Sequence, residues 1–452
     1  MGVARSLLDK LRALEQSVKQ SQEPVAVPET GQSPDADTTP VSGDDAFERA
    51  GFERLETPYG HCWRRKTTFD VFTRHGHHLF ADVLEVDYTG LAHLVGGPVD
   101  PSWMRYYDVE TNGLGTGAGT FPFLHTIGYF EHDELCFMQY FVDDHGAEAA
   151  VLHAIAEHHL PEGVTVVTFN GKSFDWPLYQ NRRVLHHLDR LERGQLDLLH
   201  PSRRLWKSQL ASVKLVELER GVLGVHRLDD LPGSQAPERY FQFLESRDVQ
   251  VVEPVISHNL MDVCSLVVLQ VEIARLLNGE ESNLPSPTHL ALASWYDAWH
   301  EVQAAALSYE RAAQAQDASW RAHWLYSLFL KRQHNEDEAC HLWAQMATDY
   351  PERVEPLVEL AKCFEHRRRD LARAEEVVEE ALRRLVKPSS GHHLAIPHRV
   401  EARPVLTADV AQSPIERALS HRLLRIQRKR ARVHGQESDA TPVTLADKPS
   451  LV

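Results

Sequence analysis

The strongest constraint on the fold is a repeat in the C-terminal half of the chain. A small residue followed four positions later by a large apolar one occurs three times, with periods of 34 and 35 residues: Ala305 and Tyr309, Ala339 and Trp343, Ala374 and Val378. Small residues let two helices approach closely, and the large side chains fill the groove between them. Residues 288–388 are therefore expected to form an all-α helical-repeat domain, with an ordinary helical bundle as the alternative. Helical repeats usually bind proteins on a concave face, so a protein partner is expected, although the pattern does not identify it.

A different pattern fills residues 101–280. Strands are predicted first and then a strand that alternates with helices, in the order Tyr106 to Glu110, Leu124 to Phe130, Glu134 to Phe141, a helix from Ala147 to His159, and Val164 to Phe169. Helices are expected to fill most of the remaining stretch to Asn278. This order predicts an α/β domain with a mixed sheet flanked by helices.

Three further segments complete the predicted organisation. Residues 1–45 are predicted to be an N-terminal amphipathic helix followed by a disordered linker rich in Pro, Ser, Thr, Asp and Gly. Residues 46–100 are predicted to be a small strand-rich lead-in. Residues 389–452 are predicted to be a polar linker followed by a basic helix and tail. That helix, at about 415–433, either contacts phosphates or closes the repeat array.

Composition and charge exclude several classes of protein. The formal net charge is −17, from 65 acidic and 48 basic side chains, which argues against coating duplex nucleic acid through bulk positive charge. A nuclease remains compatible, because divalent ions neutralise clustered carboxylates. No apolar run reaches the roughly 18 residues that suggest a membrane span, so no membrane association is expected. The five cysteines are scattered and contain no C-x-x-C pair, so free thiols and a cytoplasmic location are expected.

Carboxylates occur where metal chemistry would need them. Asp108 and Glu110 are two apart on a predicted strand, so their side chains leave the same face. Asp175 follows a predicted buried strand and a turn, near a helix start. His258 and Asp262 are four apart on a predicted helix, and therefore share a face. Acidic groups gathered on apolar elements repel one another, and a divalent cation is the natural compensation.

The motifs D-V-E-T, N-G-K-S-F-D-W-P and H-N-L-M-D resemble the three motifs of the DEDD (DnaQ-like, RNase H-like) 3′–5′ exonucleases. The continuation D-L-L-H-P-S-R-R-L-W and K-L-V-E-L-E-R-G-V-L-G resembles the YprB-like bacterial branch, which couples this domain to C-terminal tetratricopeptide repeats. The resemblance implies an RNase H-like fold and hydrolysis of DNA or RNA at single-stranded 3′ ends.

The resemblance also implies roles for individual residues. Four carboxylates would hold two Mg²⁺ or Mn²⁺ ions: Asp108, Glu110, Asp175 and Asp262. His258 would be the base that orients or deprotonates the attacking water, although it stands at the four-residue spacing of the subgroup that uses tyrosine. Substrate contacts would come from four neighbouring residues: Thr111, Asn170, Phe174 and Asn259.

Other interpretations of these residues remain open or fail. Asp197 either supports the site from behind or only starts a helix. Gly171-Lys172-Ser173 imitates the end of a phosphate-binding loop, but Val166 occupies the required upstream glycine position, which excludes a nucleotide triphosphatase. The alternative function is a catalytically inactive exonuclease fold that binds nucleic acid and recruits partners.

Overall fold

The computed structural model describes residues 43–113, 119–132, 134–227, 231–281, 283–386 and 413–438. Two compact units divide the chain, residues 1–46 and residues 47–452. Helix α1 (Gly43–Arg49) begins in the first unit, and all later elements belong to the second. The helix and linker predicted for residues 1–45 lie outside the described residues except for the start of α1. The linker predicted from residue 389 lies outside them up to residue 412.

A seven-stranded mixed sheet forms the centre of the second unit, as the strand pattern predicts. Its strands run in the spatial order β1-β2-β7-β6-β5-β8-β9. They are β1 (Glu53–Thr57), β2 (Gly60–Asp70), β5 (Met104–Thr111), β6 (Pro122–Glu131), β7 (Glu134–Phe141), β8 (Thr165–Thr168) and β9 (Gly194–Asp197). A separate pair consists of β3 (Arg74–His75) and β4 (His78–Leu79). Neighbouring strands from β1 to β5 are antiparallel, whereas β8 and β9 are parallel to β5.

Two features of this sheet go beyond the sequence analysis. The lead-in predicted for residues 46–100 supplies β1 and β2, and β2 pairs with β7, so this segment extends the main sheet. Strand β9 lies in the stretch to Asn278, most of which was expected to be helical.

Helices cover the sheet. They are α2 (Asp82–Glu85), α3 (Thr89–Val95), α4 (Glu148–His159), α5 (Asp175–Leu185), α6 (Leu199–Trp206), α7 (Leu215–Leu218), α8 (Ala236–Ser246) and α9 (Glu253–Leu277). A π-helical turn, Glu219–Leu223, follows α7. Helix α9 packs on β5, β6 and β7, and α4 packs on β2 and β7. Pro254 lies in the first turn of α9, where its missing N–H leaves no hydrogen bond unmade.

An all-helical region follows the sheet. Its helices are α10 (Ser286–Ala298), α11 (Val302–Gln314), α12 (Trp320–Arg332), α13 (Glu336–Asp349), α14 (Glu355–His366), α15 (Leu371–Val386) and α16 (Pro414–Ser438). From α10 to α16, each helix packs on the next. All six residues of the periodic small–large pairs are buried in these contacts. The first helix, α10, also packs on α6 of the sheet domain.

The basic helix α16 closes the helical region. It buries Leu419 and Ile426 against the core of the preceding helices. Its cations Arg422, Arg425 and Lys429 bind the buried carboxylate of Glu365 at 2.6 Å, 2.7 Å and 2.8 Å. The structure therefore favours the closing-helix interpretation for these residues.

The cysteines differ from the expectation of free thiols. Cys340 on α13 and Cys363 on α14 form a disulfide, with an S–S distance of 2.17 Å. The other three cysteines, Cys62, Cys136 and Cys264, are free and buried. None of the described helices is both long and apolar enough to cross a lipid bilayer.

Candidate metal centre

The site is built on the central strand β5. Successive side chains of a strand point to opposite faces, so Asp108 and Glu110 share one face while Tyr107 and Val109 occupy the other. Strand β5 lies between β6 and β8, and Asp108 is paired with Thr126 of β6. Both carboxylates are half-buried. The predicted same-face placement of the D-x-E pair is therefore present in the fold.

Asp108 is held in place by a buried chain of hydrogen bonds. Asn259 on α9 donates to the Asp108 carboxylate at 2.6 Å and accepts from the hydroxyl of Thr126. Gln139 donates to the Thr126 hydroxyl at 3.1 Å and to the Ile256 carbonyl at 2.9 Å. Asn259 is fully buried, and the substrate contact expected of it stays a prediction. Its amide orients Asp108, a role that the sequence analysis missed because it depends on tertiary packing.

The carboxylate of Asp197 organises the turn that precedes Asp175. It accepts backbone hydrogen bonds from Asn170 at 2.8 Å, Lys172 at 3.2 Å and Leu199 at 3.0 Å. Asn170 has a φ of 70°, in the left-handed region that asparagine tolerates better than most residues. Asp197 therefore both supports the turn and precedes α6, which combines the two interpretations left open by the sequence.

Sterics also shape this turn. A Cβ at Gly171 would lie 2.5 Å from the Cβ of Thr168, so the turn requires glycine there. Asp175 is buried at the first position of α5, directly after the half-buried Phe174. Thr111, at the end of β5, is buried and donates its hydroxyl to the Gly113 carbonyl at 2.8 Å. Substrate roles for Thr111, Asn170 and Phe174 stay predictions.

Helix α9 brings the third motif to the same place. His258 Nε2 lies 3.5 Å from the Asp262 carboxylate, one helical turn away. One ligand atom each from Glu110, His258 and Asp262 all lie within 4.8 Å of one another. The two carboxylates at this spacing could hold a divalent cation, with His258 beside it. We call these three residues together with Asp108 and Asp175 the acid cluster.

The electrostatics of the acid cluster show a shortage of positive charge. Burial, reinforced by Asp175, Asp262 and Glu110, raises the pKa of Asp108 well above its usual range. Burial, with Asp262 and Asp175, raises the pKa of Glu110 to about 8. Burial, with Asp197, raises the pKa of Asp175 to about 7. Carboxylates from distant parts of the chain therefore lie close enough to disfavour one another's ionised forms.

Arg227 supplies part of the missing charge, and the sequence analysis did not identify it. Its guanidinium forms ion pairs with Asp262 and with the fully buried Glu219. Its Nη1 atom lies 3.2 Å from Nδ1 of His258. Arginine can only donate, so Nδ1 is the acceptor, and a neutral His258 ring carries its proton on Nε2. In this arrangement His258 can orient a group from Nε2 but cannot take a proton at Nδ1.

The comparison with known proteins agrees with this fold. Residues 105–274, which contain all three motifs, match the RNase H superfamily, a class built on such a mixed sheet. The chain is also 32% identical to the Bacillus subtilis (strain 168) protein YprB over 339 residues, 71% of this chain and 80% of YprB. The chain therefore belongs to the YprB family within the RNase H superfamily.

Proposed function

We propose that this protein is a divalent-metal-dependent nuclease that hydrolyses phosphodiester bonds of DNA or RNA, and that it acts as a 3′–5′ exonuclease. The observation that carries the proposal is the acid cluster: ligand atoms of Glu110, His258 and Asp262 lie within 4.8 Å of one another, and burial together with neighbouring carboxylates raises the pKa of Asp108 and Glu110. Mutual repulsion of this kind costs stability unless a cation is bound, so a purely structural role explains it poorly.

The donors of the acid cluster fit Mg²⁺ or Mn²⁺. Both ions prefer hard oxygen ligands, which four carboxylates supply: Asp108, Glu110, Asp175 and Asp262. These carboxylates would hold two such ions, which would supply the Lewis-acid chemistry for attack by water and departure of the 3′-oxygen.

The protein's own residues have separate tasks in this proposal. Asn259 holds the Asp108 carboxylate toward the cluster, and Asp197 holds the turn that presents Asp175. His258, with its Nε2 atom facing Asp262, orients the attacking water. A general-base role for His258 would need Arg227 to leave Nδ1.

The helical region is proposed to be a tetratricopeptide-like module over residues 288–388 that docks a protein partner. The burial of its periodic small and large residues supports this assignment. We further propose a cytoplasmic enzyme that acts on single-stranded 3′ ends, as expected from the family resemblance of its motifs.

A non-catalytic scaffold is the second candidate, and one observation favours it. Arg227 already neutralises Asp262, as an arginine would in a site that has lost its metal. Retention of every carboxylate of the motifs favours the enzyme instead. Calorimetric titration with Mn²⁺ separates the two, because the scaffold needs no ion.

The direct test is digestion of 5′- and 3′-labelled DNA and RNA, single- and double-stranded, with Mg²⁺ or Mn²⁺ and with chelator. A 3′–5′ exonuclease shortens the 5′-labelled strand stepwise and releases the 3′ label first. Activity must vanish with chelator and in the Asp108→Ala and Asp175→Ala variants. Full activity of both variants with Mn²⁺ would remove the proposed site.

A further inference from the structure

A groove lies between the sheet domain and the helical region. Its volume is about 800 Å³, and its walls come from α6 with the turn after it, from α10, and from the start of α12. Gln209 donates to Thr288 at 2.7 Å, which ties the turn after α6 to α10. The groove is therefore part of the packed second unit.

The charge of the groove is opposite to that of the whole chain. Arg203, Arg204, Lys207 and Arg321 line it, and none of the described lining residues is acidic, although the formal net charge is −17. Arg203, Lys207 and Arg321 are exposed and form no ion pair within the described parts of the chain. Arg204 lies over the ring of Trp295, with 4.6 Å to the ring centroid. Such a cluster attracts a polyanion.

A single helix, α6, leads from the turn before Asp175 to the groove. Asp197 organises the turn before Asp175 and also accepts from the backbone of Leu199, the first residue of α6. From Leu199 to Lys207 the chain advances by about 12 Å at the helical rise. In a stacked strand, this distance corresponds to about four nucleotides.

We infer that this groove binds the phosphate backbone of single-stranded nucleic acid that extends from the acid cluster. This inference rests on the proposed function and assigns a substrate-binding role to the junction of the two domains. Cationic side chains contact phosphates, while Leu290 and Leu325, which also line the groove, offer half-buried apolar surface that carries no sequence preference. A pocket of a few hundred to 1,000 Å³ encloses one small ligand, so the groove takes a strand and not a duplex.

An acidic peptide has the same sign of charge and is the competing occupant. The path from Asp197 along α6 favours the nucleic acid, because it links the groove to the residues proposed to cut phosphodiester bonds.

The test measures binding of the full chain to a 5′-fluorescein oligothymidylate of about a dozen nucleotides by anisotropy, in chelator so that no hydrolysis occurs. We expect Arg203→Glu/Lys207→Glu to weaken binding at least about tenfold. The logarithm of the association constant decreases linearly with the logarithm of the salt concentration, by about 0.7 for each phosphate contact to a single strand. Loss of two contacts should therefore make this slope shallower by about 1.4. Oligomers of about three nucleotides, too short to span about 12 Å, should bind both proteins equally.

The matched control is Arg417→Glu/Arg428→Glu on α16, which makes the same charge change at exposed arginines of another helix. Unchanged binding by the groove variant overturns the inference, as does a larger loss in the control. Tighter, groove-dependent binding of a labelled oligoglutamate also overturns it. If the wild type hydrolyses oligonucleotides but the groove variant binds normally, only this inference fails. If the wild type binds through the groove but never hydrolyses, only the proposed function fails.

Discussion

The acid cluster predicts that removing one of its charges stabilises the metal-free protein. The pKa of Glu110 rises from 4.5 to about 8 on folding. When folding raises the pKa of a carboxyl, the free energy of unfolding falls as the pH rises. The fall occurs between the pKa of the unfolded state and the pKa of the folded state. At about 1.4 kcal/mol per pKa unit, the upper limit for Glu110→Gln at pH 8 is about 5 kcal/mol. Structural relaxation around the site makes the actual stabilisation smaller than this limit, and we expect the free energy of unfolding to increase by about 2 kcal/mol.

The assay is urea unfolding in chelator between pH 5 and pH 8.5. Glu110→Gln should exceed the wild type in free energy of unfolding by an amount that grows with pH and levels off above about pH 8. No hydrogen bond to another described residue is lost in this variant, and exposed Glu85→Gln is the matched control. Added Mn²⁺ should stabilise the wild type more than the variant. A variant that is equally or less stable at pH 8 in chelator would refute the electrostatic reasoning.

Three further substitutions test separate parts of the structure. Asn259→Ala leaves Asp108 without its donor, and should reduce Mn²⁺ affinity about 10–100-fold in calorimetry; unchanged affinity would contradict the positioning role. Asp197→Ala removes the acceptor of three backbone N–H groups and should cost about 2–3 kcal/mol in urea unfolding, whereas a cost near zero would mean that the turn holds itself. Glu365→Gln should detach α16, because it removes the charge that binds three cations of that helix. Hydrogen exchange of α16 near neutral pH should become faster. An unchanged exchange rate would show that the apolar contacts alone hold the helix in place.

The attachment of α16 to Glu365 should also depend on pH. Although burial alone would raise the pKa of Glu365, hydrogen bonds from Arg425 and Lys429 lower it to about 2. A carboxyl with a lowered folded pKa contributes stability above its unfolded pKa of 4.5 and loses it as pH falls toward 2. Helix α16 should therefore detach in acid, and circular dichroism between pH 6 and pH 2 measures whether the helix is lost. Full helicity of α16 at pH 2 would contradict this expectation.

Local periodicity made part of this structure predictable. Side chains two apart on a strand must share a face, which placed Asp108 and Glu110 together. Side chains four apart on a helix share a face, which did the same for His258 and Asp262. The helical region followed from the same kind of regular spacing, because small and large residues at fixed intervals are buried wherever helices stack.

The rest of the site depends on contacts between distant segments. Arg227 meets Asp262 across 35 positions of the chain, and nothing in its immediate sequence distinguishes it from a solvated arginine. The pairing of Cys340 with Cys363 depends on how α13 packs against α14. Strand β9 has four residues, too few for an alternating pattern to become visible. Burial of Asn259 is likewise a property of the packed sheet and α9 rather than of its motif.

The binding of divalent ions tests the central claim most directly. We predict that calorimetric titration of the chelator-treated full chain with Mn²⁺ gives saturable binding, and that Asp108→Asn/Asp262→Asn abolishes it while exposed Glu85→Gln does not. Absence of binding to the wild type, or binding that survives loss of both carboxylates, would contradict a metal centre at the acid cluster.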